Sequence, residues 1–306
     1  MLDKLEVDVQ IIRGSNNKFK SAVEPYFLEK MSDANREQTE KYLFSFWDHW
    51  VAEISKARGV SVSDLNSFAD NMTISSPAKA VENKLATAVK YQDEVEGILK
   101  EKLSLTEKDK LKSVGLSDYM EYTKTKLLVK NSGVKNIAIV YANGEIVSGK
   151  GTAEMIGSET TVQHLRKARN NDSIKAVVLR VNSPGGSALA SDVIWREIEL
   201  IKKSGKKVVV SMGDLAASGG YYISCNADRI FAQENTITGS IGVFGVVPNA
   251  QKLMNEKVGI TFDRAKTNEH ADLMSFTKPL TDEEYSVIQK EVDRIYDDFI
   301  SRVAEG

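Results

Sequence analysis

Cysteine is all but absent from this chain. Cys225 is the only one in 306 residues, so no disulfide forms within the chain. It lies in YYISCNAD, which reads as a buried helix where a small core residue is the simplest role. Histidine is scarce as well: His49, His164 and His270 are the whole supply. No His/Cys cluster with metal-ligand spacing arises, and no metal or other cofactor is expected. No apolar run reaches the roughly 18 residues of a membrane-spanning helix. The opening MLDKLEVDVQ lacks the apolar core of a signal peptide. A net charge of −2 gives no bulk electrostatic support for nucleic-acid binding. The glycines of NTITGSIGVFG match the spacing of neither a dinucleotide fingerprint nor a phosphate-binding loop. What remains is an ordinary globular composition, 42% hydrophobic and 27% charged, long enough for about two domains.

Along the chain, Leu5, Val7, Val9 and Ile11 alternate with polar residues, as in a half-buried strand. RGSNNKFKSAVEPYF reads as a loop with turn residues Gly14 to Asn17. Ser32 and Asp33 open a long helix to about Arg58, with Leu43, Phe46, Trp47, Trp50, Val51 and Ile54 as its packing face. Short helices are expected over 62–69 and 78–97, then a lysine-rich solvated stretch to Lys135. From Asn136 the pattern changes. Apolar strands at 136–142, 176–181, 207–212 and 229–232 alternate with helical segments at 160–169, 188–203 and from Ser218. That β-α-β order implies parallel strands with right-handed crossovers. Thr281 with Glu284 caps a terminal helix over 282–304.

Two stretches stand out. RVNSPGGS, 180–187, ends an apolar strand in a Pro-Gly-Gly turn, and VVVSMGDLAASGG, 208–220, runs from a buried strand into a turn of small residues holding Ser218. Loops at the same edge of a parallel sheet meet, and ligands usually bind there. A serine ahead of Gly219 and Gly220 has free backbone N–H groups beside its hydroxyl, which suit an oxyanion. AASGG is equally readable as a small-residue packing site between helix and sheet.

The chain also repeats itself in part. Ser32-Asp33, Lys41, Leu43, Trp47-Asp48, Trp50, Val51 and Ile54 correspond to Thr281-Asp282, Lys290, Val292, Tyr296-Asp297, Phe299, Ile300 and Val303. Val7, Val9, Ile11 and Arg13 correspond to Val258, Ile260, Phe262 and Arg264 after a two-residue adjustment. The expected organisation is thus a tail of a first repeat over 1–97, a charged linker over 98–135 and a second repeat over 136–306. On this reading the core of the first repeat lies upstream of Met1, the chain stops early at Gly306, and the strand at 5–12 docks loosely.

VNSPGGS, SMGDLAASGGYYIS and ADRIFAQENTITGSIGVFG, in that order, resemble the signal peptide peptidase A family of serine peptidases, in its long two-repeat form. RGSNNKFKSAVEPYF resembles that family's lysine-bearing segment. The resemblance implies an α/β Clp protease/crotonase-like superhelical core with mainly parallel strands. It implies hydrolysis of peptides, signal peptides above all, by a serine–lysine dyad. Carried across, Ser218 is the nucleophile and Lys20 the general base, with Gly219, Gly185 and Gly186 forming the oxyanion hole. Leu189, Val243 and Phe244 are expected to line the substrate pocket. The family further implies a homo-oligomer, anchored at the bacterial cytoplasmic membrane and facing outward.

The residues themselves leave alternatives. A serine needs a neighbouring base, and a lysine serves if desolvation lowers its pKa. Phe19, Val23 and Tyr26 offer the dry surroundings, but Lys18 shares the segment, so choosing Lys20 rests on the family pattern. His270 is the histidine that competes for the role. A crotonase-type acyl-CoA enzyme would need an acid/base carboxylate near the Gly-Gly turn, for which Asp214 is the candidate. An inactive peptide-binding or oligomerising scaffold is the third reading.

Overall fold

A computed structural model describes residues 2–15, 18–130 and 136–306. The strands are β1 (Asp8–Arg13), β2 (Ile137–Asn143), β3 (Glu145–Val147), β4 (Met155–Gly157), β5 (Ala176–Ser183), β6 (Lys207–Ala217), β7 (Arg229–Phe231), β8 (Ile237–Gly239) and β9 (Phe244–Asn249). The helices are α1 (Asp33–Arg58), α2 (Val62–Asp70), α3 (Pro77–Glu82), α4 (Gln92–Lys102), α5 (Leu116–Lys130), α6 (Ser158–Arg169), α7 (Ala188–Lys203), α8 (Gly219–Tyr222) and α9 (Asp282–Glu305). The chain forms two compact units, one of residues 1–41 with 135–306 and one of residues 42–134.

The first unit is built on a parallel sheet in the order β2-β5-β6-β7, with β8 also pairing β6. This is the β-α-β arrangement expected from the alternation of apolar runs. Val177, Leu179 and Val181 of β5 and Val208 and Val210 of β6 are fully buried. They pack with Leu165 of α6 and with Ile194, Ile198 and Ile201 of α7 in one hydrophobic core. Burial alternates residue by residue along β5, so helices cover one face of the strand.

β6 runs five residues beyond the expected end at Met212. The reason is a register shift: Val181 faces Met212, yet Ser183 faces Ala216. The Asn182 carboxamide oxygen accepts the Leu215 N–H at 3.0 Å across the shift. Past it, Leu215 to Ala217 pair with β8 instead of β7. The strand therefore ends at the residue before Ser218.

The strand near the N-terminus corrects an expectation. β1 is not loosely docked. It pairs antiparallel with β9 along its whole length, from Asp8–Asn249 to Arg13–Phe244. Ile12 is fully buried with Val247, Leu280 and Val292. α9 reinforces the pair, because Tyr285 Oη donates to Ile11 O at 3.3 Å and Gln289 Nε2 to Arg13 O at 2.7 Å. The capping box of Thr281 and Glu284 opens α9 as expected. By contrast, residues 259–264, which include most of the matched counterpart of β1, form no strand. Ile260 and Phe262 stay partly exposed there, and among the described residues no strand pairs with this stretch.

The second unit is helical. Val51, Val60 and Leu65 form its small core with Phe68 and Leu85. Trp47 Nε1 donates to Asn66 Oδ1 at 2.6 Å. Leu43, Trp47, Trp50 and Ile54, expected as a packing face, are exposed, and only Val51 of that stripe is deeply buried. The lysine-rich stretch contains the end of α4 and all of α5.

If β1 is integral, Ile12→Ala should destabilise the protein by about 2–5 kcal/mol, the cost of a core cavity. Denaturant unfolding measures this. A change within about 0.5 kcal/mol would mean that the β1–β9 pair is peripheral.

Candidate active site

The long β6 delivers Ser218 to the start of α8 in a conformation few side chains adopt. Its φ is 53° and its ψ −120°, and its N–H donates to Gly239 O at 2.8 Å. A non-glycine residue there is strained, and such strain concentrates at functional sites. Facing it is the Pro-Gly-Gly turn. Gly185 has φ +104°, and a Cβ on it would fall 2.7 Å from Ser218 Cβ and from Gly219 N. A Cβ on Gly186 would overlap Ile146 O at 2.1 Å. Both glycines are thus required for the turn to lie against the serine.

The lysine arrives from the other side. Where β9 leads back towards β8, the antiparallel partner β1 brings the segment after Arg13 alongside. Lys20 is 8% exposed, and its Nζ lies 3.1 Å from Ser218 Oγ. Nζ also lies 2.9 Å from Ser240 O and 3.0 Å from Ser240 Oγ. Burial lowers the Lys20 pKa to about 8 from the usual 10.5. A neutral amine has two N–H groups and one lone pair. Ser240 accepts both N–H groups, which leaves the lone pair for the Ser218 hydroxyl proton.

Lys18, the rival in the segment, is exposed and lies 5.0 Å over the Phe19 ring. His270 sits instead among Glu283 and Glu284, at 3.7 and 3.6 Å. Asp214 is exposed and does not line the cavity beside Ser218. The only cysteine, Cys225, is buried and its thiol is pushed up to about 11 by burial, which suits a core role.

Ser218 opens into a cavity of about 370 Å³. Val243 and Phe244 line it, with Gly186, Gly219, Tyr222 and Phe299. Leu189 does not; it is 70% exposed at the first turn of α7. The Gly219 and Gly186 N–H groups have no hydrogen-bond partner among the described residues, whereas Gly185 N–H donates to Ser183 Oγ at 3.2 Å. Ser240 escaped the sequence reading. Its one signal was its place in TGS, directly after β8 and inside the Gly-rich stretch NTITGSIGVFG.

The model of peptidase family S49 matches residues 1–106 and 201–306. Protease 4 of Haemophilus influenzae is 36% identical over 317 residues, which cover 100% of this chain and 50% of that protein. The chloroplastic serine protease SPPA of Arabidopsis thaliana is 34% identical, over 99% of this chain and 45% of its own length. The chain thus spans about half the length of the curated relatives it matches. Among solved structures, a ClpP1 mutant from Listeria monocytogenes is 24% identical, covering 38% of this chain and 55% of that chain, with a TM-score of 0.25.

Two stability effects follow from the geometry. Ser218→Gly should stabilise the protein by about 1 kcal/mol, because relief of a positive φ outweighs the entropy of glycine. Chemical denaturation checks this; destabilisation would mean that Ser218 is unstrained. Lys20 binds its proton more weakly when folded, so the unfolded chain holds the extra proton between about pH 8 and 10.5. Unfolding free energy should therefore rise with pH across that window, and the rise should be smaller in Lys20→Met. Equal slopes in the two proteins would mean that Lys20 is not desolvated.

Proposed function

The chain belongs to peptidase family S49, and on that premise we propose that it is a serine endopeptidase whose Ser218 attacks the peptide carbonyl with Lys20 as general base. The observation that carries this reading is the buried amine of Lys20, 3.1 Å from Ser218 Oγ, with its pKa lowered to about 8. An ordinary lysine is almost wholly protonated near neutrality and cannot accept a proton. This one is neutral in a useful fraction of molecules, and Ser240 orients its lone pair.

In the first step the Ser218 hydroxyl gives its proton to Lys20 Nζ as Oγ bonds to the carbonyl carbon. The carbonyl oxygen becomes an oxyanion, to which the free N–H groups of Gly219 and Gly186 donate. The Gly185 N–H, engaged with Ser183, keeps the turn in shape instead. The Lys20 ammonium then protonates the leaving amine, and the carbon–nitrogen bond breaks to leave an acyl ester on Ser218. Lys20, neutral again, takes a proton from water as the water oxygen bonds to the ester carbon; the carbon–Oγ bond then breaks, Lys20 returns the proton to Ser218 Oγ, and the acid is released.

The substrate reading is an extended peptide with a small or apolar side chain at the cleavage point. Val243 and Phe244 make the wall of the cavity apolar, and glycines 186 and 242 leave main chain open for strand-like pairing. Signal peptides fit this chemistry, and the family resemblance carries them to this chain. The same resemblance carries a homo-oligomer at the outward face of a bacterial cytoplasmic membrane. Among the described residues, no helix is long and apolar enough to cross a membrane.

Ser218→Ala and Lys20→Ala should each lower peptide hydrolysis by at least about a thousand-fold, and Lys18→Ala should leave it near normal. A fluorophosphonate should label Ser218 in the parent and not in Ser218→Ala. The parent kcat/KM should rise with pH and level off above an apparent pKa of about 8, as Lys20 loses its proton. Normal turnover in Lys20→Ala, or a pH limb abolished by His270→Ala, would overturn the assignment of the base.

A further inference from the structure

Lys20 lies on neither a strand nor a helix. It follows β1 by several residues and precedes α1 by many more, yet its amine must stay fixed to a fraction of an ångström for proton transfer. The segment's own hydrogen bonds show how it is held. Arg13 Nη2, at the end of β1, donates to the Lys20 carbonyl oxygen at 3.2 Å. Gln38 Nε2, on α1, donates to Ser21 Oγ at 2.9 Å. Val23 is fully buried.

Next to Val23 is the most deeply buried acid of the segment. Glu24 is 4% exposed. Its carboxylate accepts Ser32 Oγ at 2.6 Å, Ser32 N at 3.2 Å and Asn35 Nδ2 at 2.9 Å. Ser32 Oγ in turn accepts Asn35 N at 3.1 Å, so Glu24 grips the capped start of α1. Burial alone would raise the Glu24 pKa. The Ser32 and Asn35 hydrogen bonds and the charge of Arg13 outweigh it and hold the carboxyl below its usual range. An anion at a helix start is also favoured by the helix dipole. Glu24 thus joins both anchors: the arginine that holds the Lys20 carbonyl, and the helix that holds Ser21.

We propose that Glu24 is the positioning residue for Lys20, an ionised buried carboxylate that locks the Lys20 segment between Arg13 and the start of α1 so that the amine stays dry against Ser218 and Ser240. Glu24 touches neither Ser218 nor the cavity beside it, so it acts through Lys20. The inference builds on the reading of Lys20 as general base, and its test is chosen to stand apart from turnover.

The test is the pH dependence of Lys20 acetylation by acetic anhydride, read by peptide mass spectrometry on the whole chain, with exposed Lys18 as internal reference. In the parent, Lys20 should become half-reactive near pH 8. In Glu24→Gln the carboxamide cannot serve all three donors as an anion does. The Lys20 midpoint should move towards the ordinary value by about one pH unit or more, while Lys18 does not move. In hydrolysis assays kcat should fall about ten- to a hundred-fold, with KM changed less than about three-fold and the pH limb displaced upward by the same amount. Ser32→Ala removes the shortest of the three bonds and should shift the midpoint in the same direction by less. This milder variant decides the matter if Glu24→Gln does not fold. An unchanged Lys20 midpoint in the folded variants overturns the proposal, as does a loss of kcat with no displaced limb, which marks a merely structural role. Full turnover in Lys20→Ala would sink the base assignment instead, and the acetylation midpoints would still judge Glu24.

Discussion

The antiparallel pairing of β1 with β9 is the constraint on which the rest of the site depends. Ser218 and Lys20 are 198 residues apart in the chain. The serine is carried by the central sheet; the lysine comes from a segment with little regular structure. β9 follows β8 after a short Gly-rich turn, and β8 lies beside the end of β6 that presents Ser218. A strand paired to β9 is therefore aimed at the serine by backbone hydrogen bonds alone. α9 ties the two sides a second time. Its first half holds β1 through Tyr285 and Gln289, and Asp293 holds Ser15. Its second half packs Phe299 on Tyr222 at 4.9 Å and lays Arg302 over the Trp195 ring at 3.7 Å. One helix thus spans the strand that leads to Lys20 and the helices behind Ser218.

Much of what the site needs works against stability. Ser218 is held at a positive φ, Gly185 and Gly186 give up side-chain packing, and an amine is buried with no carboxylate bonded to it among the described residues. The large apolar core of β5, β6, α6 and α7 offsets these costs close by. Its residues lie immediately upstream of both loops, so the same strands that supply the burial also deliver the strained turns. This explains why β6 is prolonged by a register shift and not by a loop. A shift within the sheet keeps the chain hydrogen-bonded up to Ala217.

The parallel core was legible in the sequence because its signals are local. Apolar runs at 176–181 and 207–212, each ending in small residues, carry strand identity and turn position together. The capping box at Thr281 is equally local. Tertiary facts were not legible. No periodicity separates Lys18 from Lys20, since the segment is not a strand; their different burial comes from the loop being tied to Arg13 and Gln38. Ser240 meets Lys20 across 220 residues, and nothing within its own segment announces an amine. The pairing of β1 was not legible because the strand that completes it, β9, lies far along the chain at Phe244–Asn249, so no signal local to Asp8–Arg13 points to it. Leu189 follows a helix-capping serine, and the rotation of α7 that exposes it is set by burying Ala190 and Ser191.

Lys20 is tuned by dryness, not by charge. Desolvation is the cause of its lowered pKa, and its hydrogen-bond partners among the described residues, Ser218 and Ser240, are neutral. A base tuned by a neighbouring cation keeps its shift as long as that cation remains close. One tuned by desolvation keeps it only while water is excluded, so its basicity reports the packing of everything around it. If Lys20 is the base proposed here, that couples the chemistry to the network through Arg13, Glu24, Ser32 and Gln38, none of which is hydrogen-bonded to Ser218 among the described residues. It also fixes the direction of error. Any loosening of the segment hydrates the amine and raises its pKa, which lowers the neutral fraction near pH 7 and leaves it recoverable at higher pH. On the proposed reading of Ser218 as nucleophile and Lys20 as base, loss of activity by loosening and loss by removal of the nucleophile thus differ in kind: the first is reversed by alkali, and the second is not.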